Sequence, residues 1–201
     1  MSFTLATLKS TVQEYLQVNE TTFNDNLDEF IRESEDRIFS MVQLPEQRKN
    51  VQGAMTLGNR FLSTPSDFYA PFSVAIIDSN VYSYLLFKHP SFIKEYSPNS
   101  TVTGQPKYYS LFDNSAFEIA PVPDAAYTVE LHYLYKPASL TAGADSGTTI
   151  LSSKYSDALL YGTLVEAAVF LKEASDVVAT FETRFKEALT RMKNLSEGRE
   201  T

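Results

Sequence analysis

Gly104–Pro137, GQPKYYSLFDNSAFEIAPVPDAAYTVELHYLYKP, is the stretch whose reading decides the fold. It reads as three short strands with turn chemistry between them. Lys107–Phe112 and Ala116–Ile119 flank Asp113-Asn114-Ser115, a hairpin signal. Pro121-Val122-Pro123-Asp124 is a rigid connector. In the last strand Tyr127, Val129, Leu131, Tyr133 and Tyr135 share one face, and Thr128, Glu130, His132, Leu134 and Lys136 share the other. This is the cleanest period-two pattern in the chain, the pattern of a half-buried strand. The block holds no nucleophile–base pair and no metal-ligand cluster, which points to a scaffold and away from an enzyme.

Upstream, Val51–Leu57 and Arg60–Ser63 read as strands around a Gly58-Asn59 turn, and Thr64–Asp67 is turn chemistry. Phe72, Val74 and Ile76 alternate with Ser73, Ala75 and Ile77. Asp78-Ser79-Asn80 reads as a hairpin loop, with Val81–Phe87 as the return strand. Pro90 opens a short helix reaching Tyr96.

Helical patterns flank this β region. Leu5, Leu8, Val12 and Leu16 make one apolar stripe. Phe23, Leu27, Phe30, Ile31 and Ile38 make a second, with Thr21 or Thr22 as cap and Pro45 as stop. Their short connection predicts an antiparallel pair. After the β region, Thr141–Thr149, TAGADSGTT, reads as a mobile loop or hinge. Ser152 or Ser153 caps a helix whose span Ala158–Leu171 is apolar on most sides. Such a helix is the centre of a bundle, or is covered by neighbouring subunits. Ser175-Asp176 opens a last helix carrying Val178, Phe181, Phe185, Leu189 and Met192 at helical spacing. Neither helical pair covers its stripes alone, so the two pairs pack together. The predicted class is α+β: an antiparallel bundle of N- and C-terminal helices with an inserted antiparallel β domain. The expected bounds are N-terminal helices over 1–46, insert over 47–140, and loop with C-terminal helices over 141–201.

Composition narrows the function. A count of zero Cys removes disulfides, thiolate metal sites and a Cys nucleophile. A net charge of −8 argues against a phosphate-gripping surface. The opening MSFTLATLKSTVQEYL lacks the apolar run of a signal peptide, and Ala158–Leu171 is too short to span a membrane. A soluble, intracellularly made protein with no cofactor is expected.

His132 beside Glu130 could serve acid–base or metal chemistry, but with no third ligand its default reading is a solvated edge residue. His89 reads as a loop or capping residue. Glu166 within the apolar helix is a buried-carboxylate candidate, more simply a bundle-edge residue or an ion-pair member. Asp25, Asp28, Glu29, Glu33, Glu35 and Asp36 give the second helix an acidic, solvated face. Tyr108, Tyr109, Tyr127, Tyr133 and Tyr135 leave a second function open, a carbohydrate- or ligand-binding module using the Tyr-rich insert. Packing is the simpler use of those rings.

The chain resembles the head-to-tail adaptor (connector) proteins of tailed, especially short-tailed, bacteriophages. The residues that carry the resemblance are Gly104-Gln105-Pro106-Lys107-Tyr108-Tyr109, Phe117–Asp124 with Pro121, Pro123 and Asp124, Tyr127–Tyr133, and Lys136-Pro137 with Leu140. Upstream, Leu62-Ser63-Thr64-Pro65-Ser66-Asp67-Phe68 is similar to a family segment. The resemblance implies a structural virion protein with no enzymatic role. Copies would form a ring, expected to be twelve-fold, at the neck between head and tail. The ring would bind the portal protein and a tail nozzle or tail tube protein, and would pass DNA through its channel during genome ejection without specific binding. The protein would reside in the host cytoplasm before assembly. By position, Arg191, Met192, Lys193, Leu195 and Arg199 are the implied portal contacts.

Overall fold

Helical spacing becomes helix at both ends of the chain. In the computed structural model, which describes residues 2–197, α1 spans Leu5–Leu16. Thr4 and Thr7 start it with a reciprocal box: the Thr4 hydroxyl accepts from the Thr7 N–H at 3.2 Å, and the Thr7 hydroxyl accepts from the Thr4 N–H at 2.8 Å. α2 spans Thr21–Met41, with Glu20 at its N-cap and no side-chain cap, where Thr21 or Thr22 was expected. The expected long C-terminal helix is two helices. α4 covers Ile150–Lys154 under a Thr149–Ser152 capping box, and the chain bends at Tyr155 before α5, Ser156–Phe170. α6 runs Ser175–Glu197.

Residues 2–46 and 138–197 form one unit and residues 47–137 a second. In the helical unit α5 is the centre, with Leu159, Leu164, Ala167 and Ala168 fully buried. α1, α2, α4 and α6 of the same chain pack against it, so most of its circumference is covered without a neighbouring subunit. Gly162 lets α2 and α6 close onto α5. A Cβ there would lie 2.2 Å from Ser34 Oγ and 2.9 Å from Phe185 Cε2. Beside this contact Arg37 reaches Glu166 on α5 at 3.3 Å and Glu182 on α6 at 2.7 Å, and lies over the Phe185 ring. One guanidinium thus ties three helices together.

The stretch Thr141–Thr149 is pinned, where a mobile loop or hinge was expected. The Ala6 N–H donates to the Asp145 carbonyl at 3.0 Å and Arg32 Nε donates to Thr141 Oγ1 at 2.9 Å. Just ahead of it, the Leu140 side chain is buried in the helical core.

The second unit holds β1 (Arg48–Ala54), β2 (Phe61–Ser63), β3 (Phe68–Asp78), β4 (Val81–Tyr84), β5 (Leu86–Phe87), α3 (Pro90–Tyr96), β6 (Tyr108–Leu111), β7 (Ala116–Ala120) and β8 (Thr128–Tyr135). Two four-stranded sheets result, ordered β1-β8-β3-β4 and β2-β7-β6-β5. Neighbours are antiparallel except β5 and β6, which run parallel. β3 is longer than its alternation suggested and contains Pro71; register shifts on both sides absorb the missing donor. Ser79 and Asn80 sit at φ 50° and 64°, the two positive-φ positions of a two-residue hairpin.

The return strand Val81–Phe87 divides between the sheets. β4 pairs with β3, then the Leu85 N–H donates to Val74, and β5 pairs with β6. Both sheets share one core, in which Val74, Ile76, Phe117, Ile119, Val129 and Leu131 are buried. Val129, Leu131 and Tyr133 all point inward, as the alternation of β8 requires.

Gly162→Val would force a Cβ and two methyl groups into the α2–α5–α6 contact. We expect a loss of about 3 kcal/mol, the upper end of the overpacking range, read as a lower midpoint in urea unfolding.

Candidate interaction surfaces

The chemical candidates do not assemble into a reacting centre. Glu130 and His132 do meet, Oε1 to Nε2 at 3.1 Å, on the outer face of the first sheet. β8 lies between β1 and β3, so His132 is on a central strand and not at an edge. Gln52 donates to Glu130 at 3.1 Å, and this bond, followed by that of His132, holds the carboxyl below the usual range. A carboxylate so stabilised is a weak base. His89 caps α3, its Nδ1 accepting from the Ser91 N–H at 3.2 Å. Glu166 is the ion-pair partner of Arg37, in the helical unit. Among the described residues no group of three or more His, Asp or Glu is placed to hold a metal ion, and no helix is long and apolar enough to cross a membrane.

The acidic face of α2 has one exception. Glu35 is 3% exposed, and its Oε1 accepts from the Leu140 N–H at 3.0 Å. Asp28 pairs with Lys9 at 2.7 Å and Glu29 with Arg32 at 3.2 Å, both at the surface. Burial pushes the Glu35 carboxyl up, against the opposing hydrogen bonds from Ser139 and Leu140. The folded state therefore binds this proton more tightly than the unfolded chain does. Stability from this group is fully present below the ordinary carboxylate value of 4.5 and is lost as pH rises through the higher folded value.

Two rings of the tyrosine platform face inward. Tyr109 and Tyr133 are buried, and the Tyr133 hydroxyl donates to Asp67 Oδ1 at 2.9 Å. Lys49 pairs with the other oxygen of Asp67 at 2.6 Å and sits 3.9 Å from the Tyr135 ring centre. Asp67 is held below its usual range by Lys49 first and Tyr133 second. Tyr109 and Tyr133 thus serve packing and a polar clasp, whereas Tyr108, on the other face of its strand, stands edge-on to the Phe92 and Tyr96 rings at 5.1 and 4.8 Å.

The turn motifs converge as one unit. Thr103 bridges to Val122, and the Gly104 N–H donates to the Val122 carbonyl at 2.8 Å. Pro106 and Pro123 are buried, and Pro121 follows a cis peptide bond. The Gly58 N–H reaches the Pro123 carbonyl at 2.9 Å. The Tyr127 hydroxyl donates to Asp124 at 2.7 Å, which pushes the phenol up to about 12.

At the end of α6, Arg191 pairs with Asp157 at 3.3 Å, and Lys193 and Leu195 are exposed. A groove of about 240 Å³ opens there between α6 and the α4–α5 bend, lined by Lys154, Tyr155, Asp157, Ala188, Arg191 and Leu195. Met192 is 1% exposed and packs in the helical core, so it presents no surface of its own. Arg199 lies outside the described residues.

Two further features emerge only in the folded unit. Val81–Phe87 is an exposed edge that is uncharged throughout. A slot of about 140 Å³ opens beside β1 and β2. The absence of charge across Val81–Phe87 was a signal available in the sequence; the slot, built from three separated segments, was not.

The class is a structural phage adaptor of the head–tail type. The family description "SU10 adaptor protein" matches residues 3–201, and the chain belongs to that family. No curated protein matches it.

Two measurements check the site geometry. Tyr133→Ala should destabilise the β unit by about 3–5 kcal/mol, as expected for an inward aromatic, with a lowered thermal midpoint as the readout. Glu35→Gln should keep the bond from Leu140 and flatten the decline in urea midpoint as pH rises above 4.5.

Proposed function

We propose that this adaptor assembles as a closed ring, expected to be twelve-fold, between the portal protein and a tail nozzle or tail tube protein at the neck of the virion. The observation that carries this reading is membership of an adaptor family along nearly the whole chain, residues 3–201. The ring encloses a channel for the genome. A net charge of −8 suits a wall that DNA passes without adhering, because phosphate binding needs clustered cations. The exposed end of α6, with Arg191, Lys193 and Leu195 beside its groove, is the surface assigned to the portal. Arg191 and Asp157 are 62% and 65% exposed, so that ion pair holds little energy and can be exchanged for a partner's carboxylate.

Electron microscopy and light scattering of the purified protein with its portal protein test the reading. The expected result is a ring bound to portal. A protein that stays monomeric and fails to bind portal at every salt concentration would overturn it. Within that experiment, Arg191→Glu with Lys193→Glu should weaken portal binding by about tenfold or more, roughly 1.4 kcal/mol, without changing the thermal midpoint.

A further inference from the structure

Three kinds of hydrogen-bond donor converge on the groove between α6 and the α4–α5 bend: two cations, a helix start and a buried hydroxyl. The cations are Lys154 and Arg191, both largely exposed. Lys154 pairs with Glu46 at 3.1 Å and Arg191 with Asp157 at 3.3 Å. A lysine carries three N–H donors and an arginine five, so each keeps donors beyond those its own acid accepts.

The helix start is that of α5. Tyr155 stands at its N-cap and gives no side-chain cap, whereas Thr149 caps α4 just ahead of it. The first N–H groups of a helix have no acceptor within the helix, and the aligned peptide dipoles leave partial positive charge at this end. Ser156, the first residue of α5, lines the groove and is only 6% exposed. Among the described residues its hydroxyl holds no hydrogen bond. A hydroxyl so deeply buried ordinarily has a partner.

Donors of this kind, with positive charge behind them, call for an anion. The shape of the groove says which kind. Ala158 and Ala188 lie buried along it and give it an apolar wall. Its volume of about 240 Å³ exceeds that of a cavity of about 150 Å³ that accepts a benzene ring. An acidic side chain fits both requirements, since its methylene stem covers the alanines and its carboxylate reaches the donors. A nucleic-acid phosphate has no such stem, and a net charge of −8 opposes a polyanion.

We propose that this groove seats an aspartate or glutamate side chain of the portal protein. Its carboxylate accepts from the Ser156 hydroxyl at the start of α5, replaces Asp157 on Arg191, and lies within the field of Lys154. The proposal rests on the portal reading above and names the chemistry of the portal residue that enters.

Full-length protein tests this with two readouts. Ser156→Asp places a carboxylate in the first turn of α5, where the helix favours negative charge, so the seat is filled from within. Its thermal midpoint should be unchanged or raised, and its binding to portal weakened by about tenfold or more. Ser156→Ala removes one donor, leaves the charges, and should weaken binding by about threefold to tenfold. The natural protein gives the second readout, which stands even if a variant fails to fold. A carbodiimide joins lysines to the carboxylates they touch, and peptide mass spectrometry reads the links. The Lys154–Glu46 link is the internal control, and in the complex a link from Lys154 to a portal aspartate or glutamate should appear beside it.

Portal binding that Ser156→Asp leaves intact overturns this proposal and leaves the portal reading standing. A complex that yields only the Lys154–Glu46 link does the same. Binding of a short DNA duplex that Ser156→Asp abolishes overturns it as well, because the anion is then a phosphate. Natural protein that never binds portal overturns this proposal and the portal reading together.

Discussion

α5 is apolar around nearly its whole circumference, and a helix of that kind has to be covered on every side. Its cover comes from both ends of the chain: α1 and α2 from the first residues, α4 and α6 from the last. Burying it therefore brings the two ends of the sequence together, and residues 47–137 become an excursion with its own core. Gly162 and Arg37 show how tightly the requirement is met. The glycine removes the side chain that would separate α2 and α6 from α5, and the arginine closes the gap with two carboxylates from two helices. These contacts join residues over a hundred positions apart, so the helical unit is held together by contacts between distant parts of the chain.

The β unit is organised in the same spirit around β8. That strand pairs with β1 on one side and β3 on the other, and its odd-numbered side chains fill the space between the sheets. Tyrosine suits this place because its ring fills the core while its hydroxyl reaches an acceptor at the border. Tyr133 does so with Asp67, and Tyr127 does so with Asp124. Charge is also taken inside: Glu118 is 1% exposed on β7, held by Arg60 at 3.3 Å and by Lys94. Losing both cations would strand a buried carboxylate, so the loop before β2 and helix α3 are tied to the sheet by the same group.

Much of this architecture was legible because it is periodic. The stripe of α2, the alternation of β8 and the Asp113–Ser115 hairpin each follow from local spacing. The features that were not legible depend on contacts distant in sequence. Val81–Phe87 reads as one strand, and only the position of β6 makes it leave one sheet for the other after Tyr84. Ser152 and Ser153 look like caps of one helix, but Tyr155 takes a non-helical conformation, φ −123° and ψ 37°, and its side chain is buried where the chain bends. Glu35 belongs by spacing to an acidic surface, and becomes buried because Leu140 returns across α2. The interaction surfaces divide along the same line. Arg191, Lys193 and Leu195 are readable as an exposed helical face, whereas Met192 at the next position is turned inward by the helical period. The slot exists only where β1, β2 and β8 meet.

The strand that changes sheets has a mechanical meaning. Val81–Phe87 is hydrogen-bonded to β3 through one half and to β6 through the other. A pull on this edge is therefore shared at once by two ladders that lie in different sheets. Neither sheet can be peeled from the unit while the other stays at rest, and both must shear together. A part that couples two larger bodies carries load through its surface, and here the strand best placed to receive that load is the one anchored on both layers.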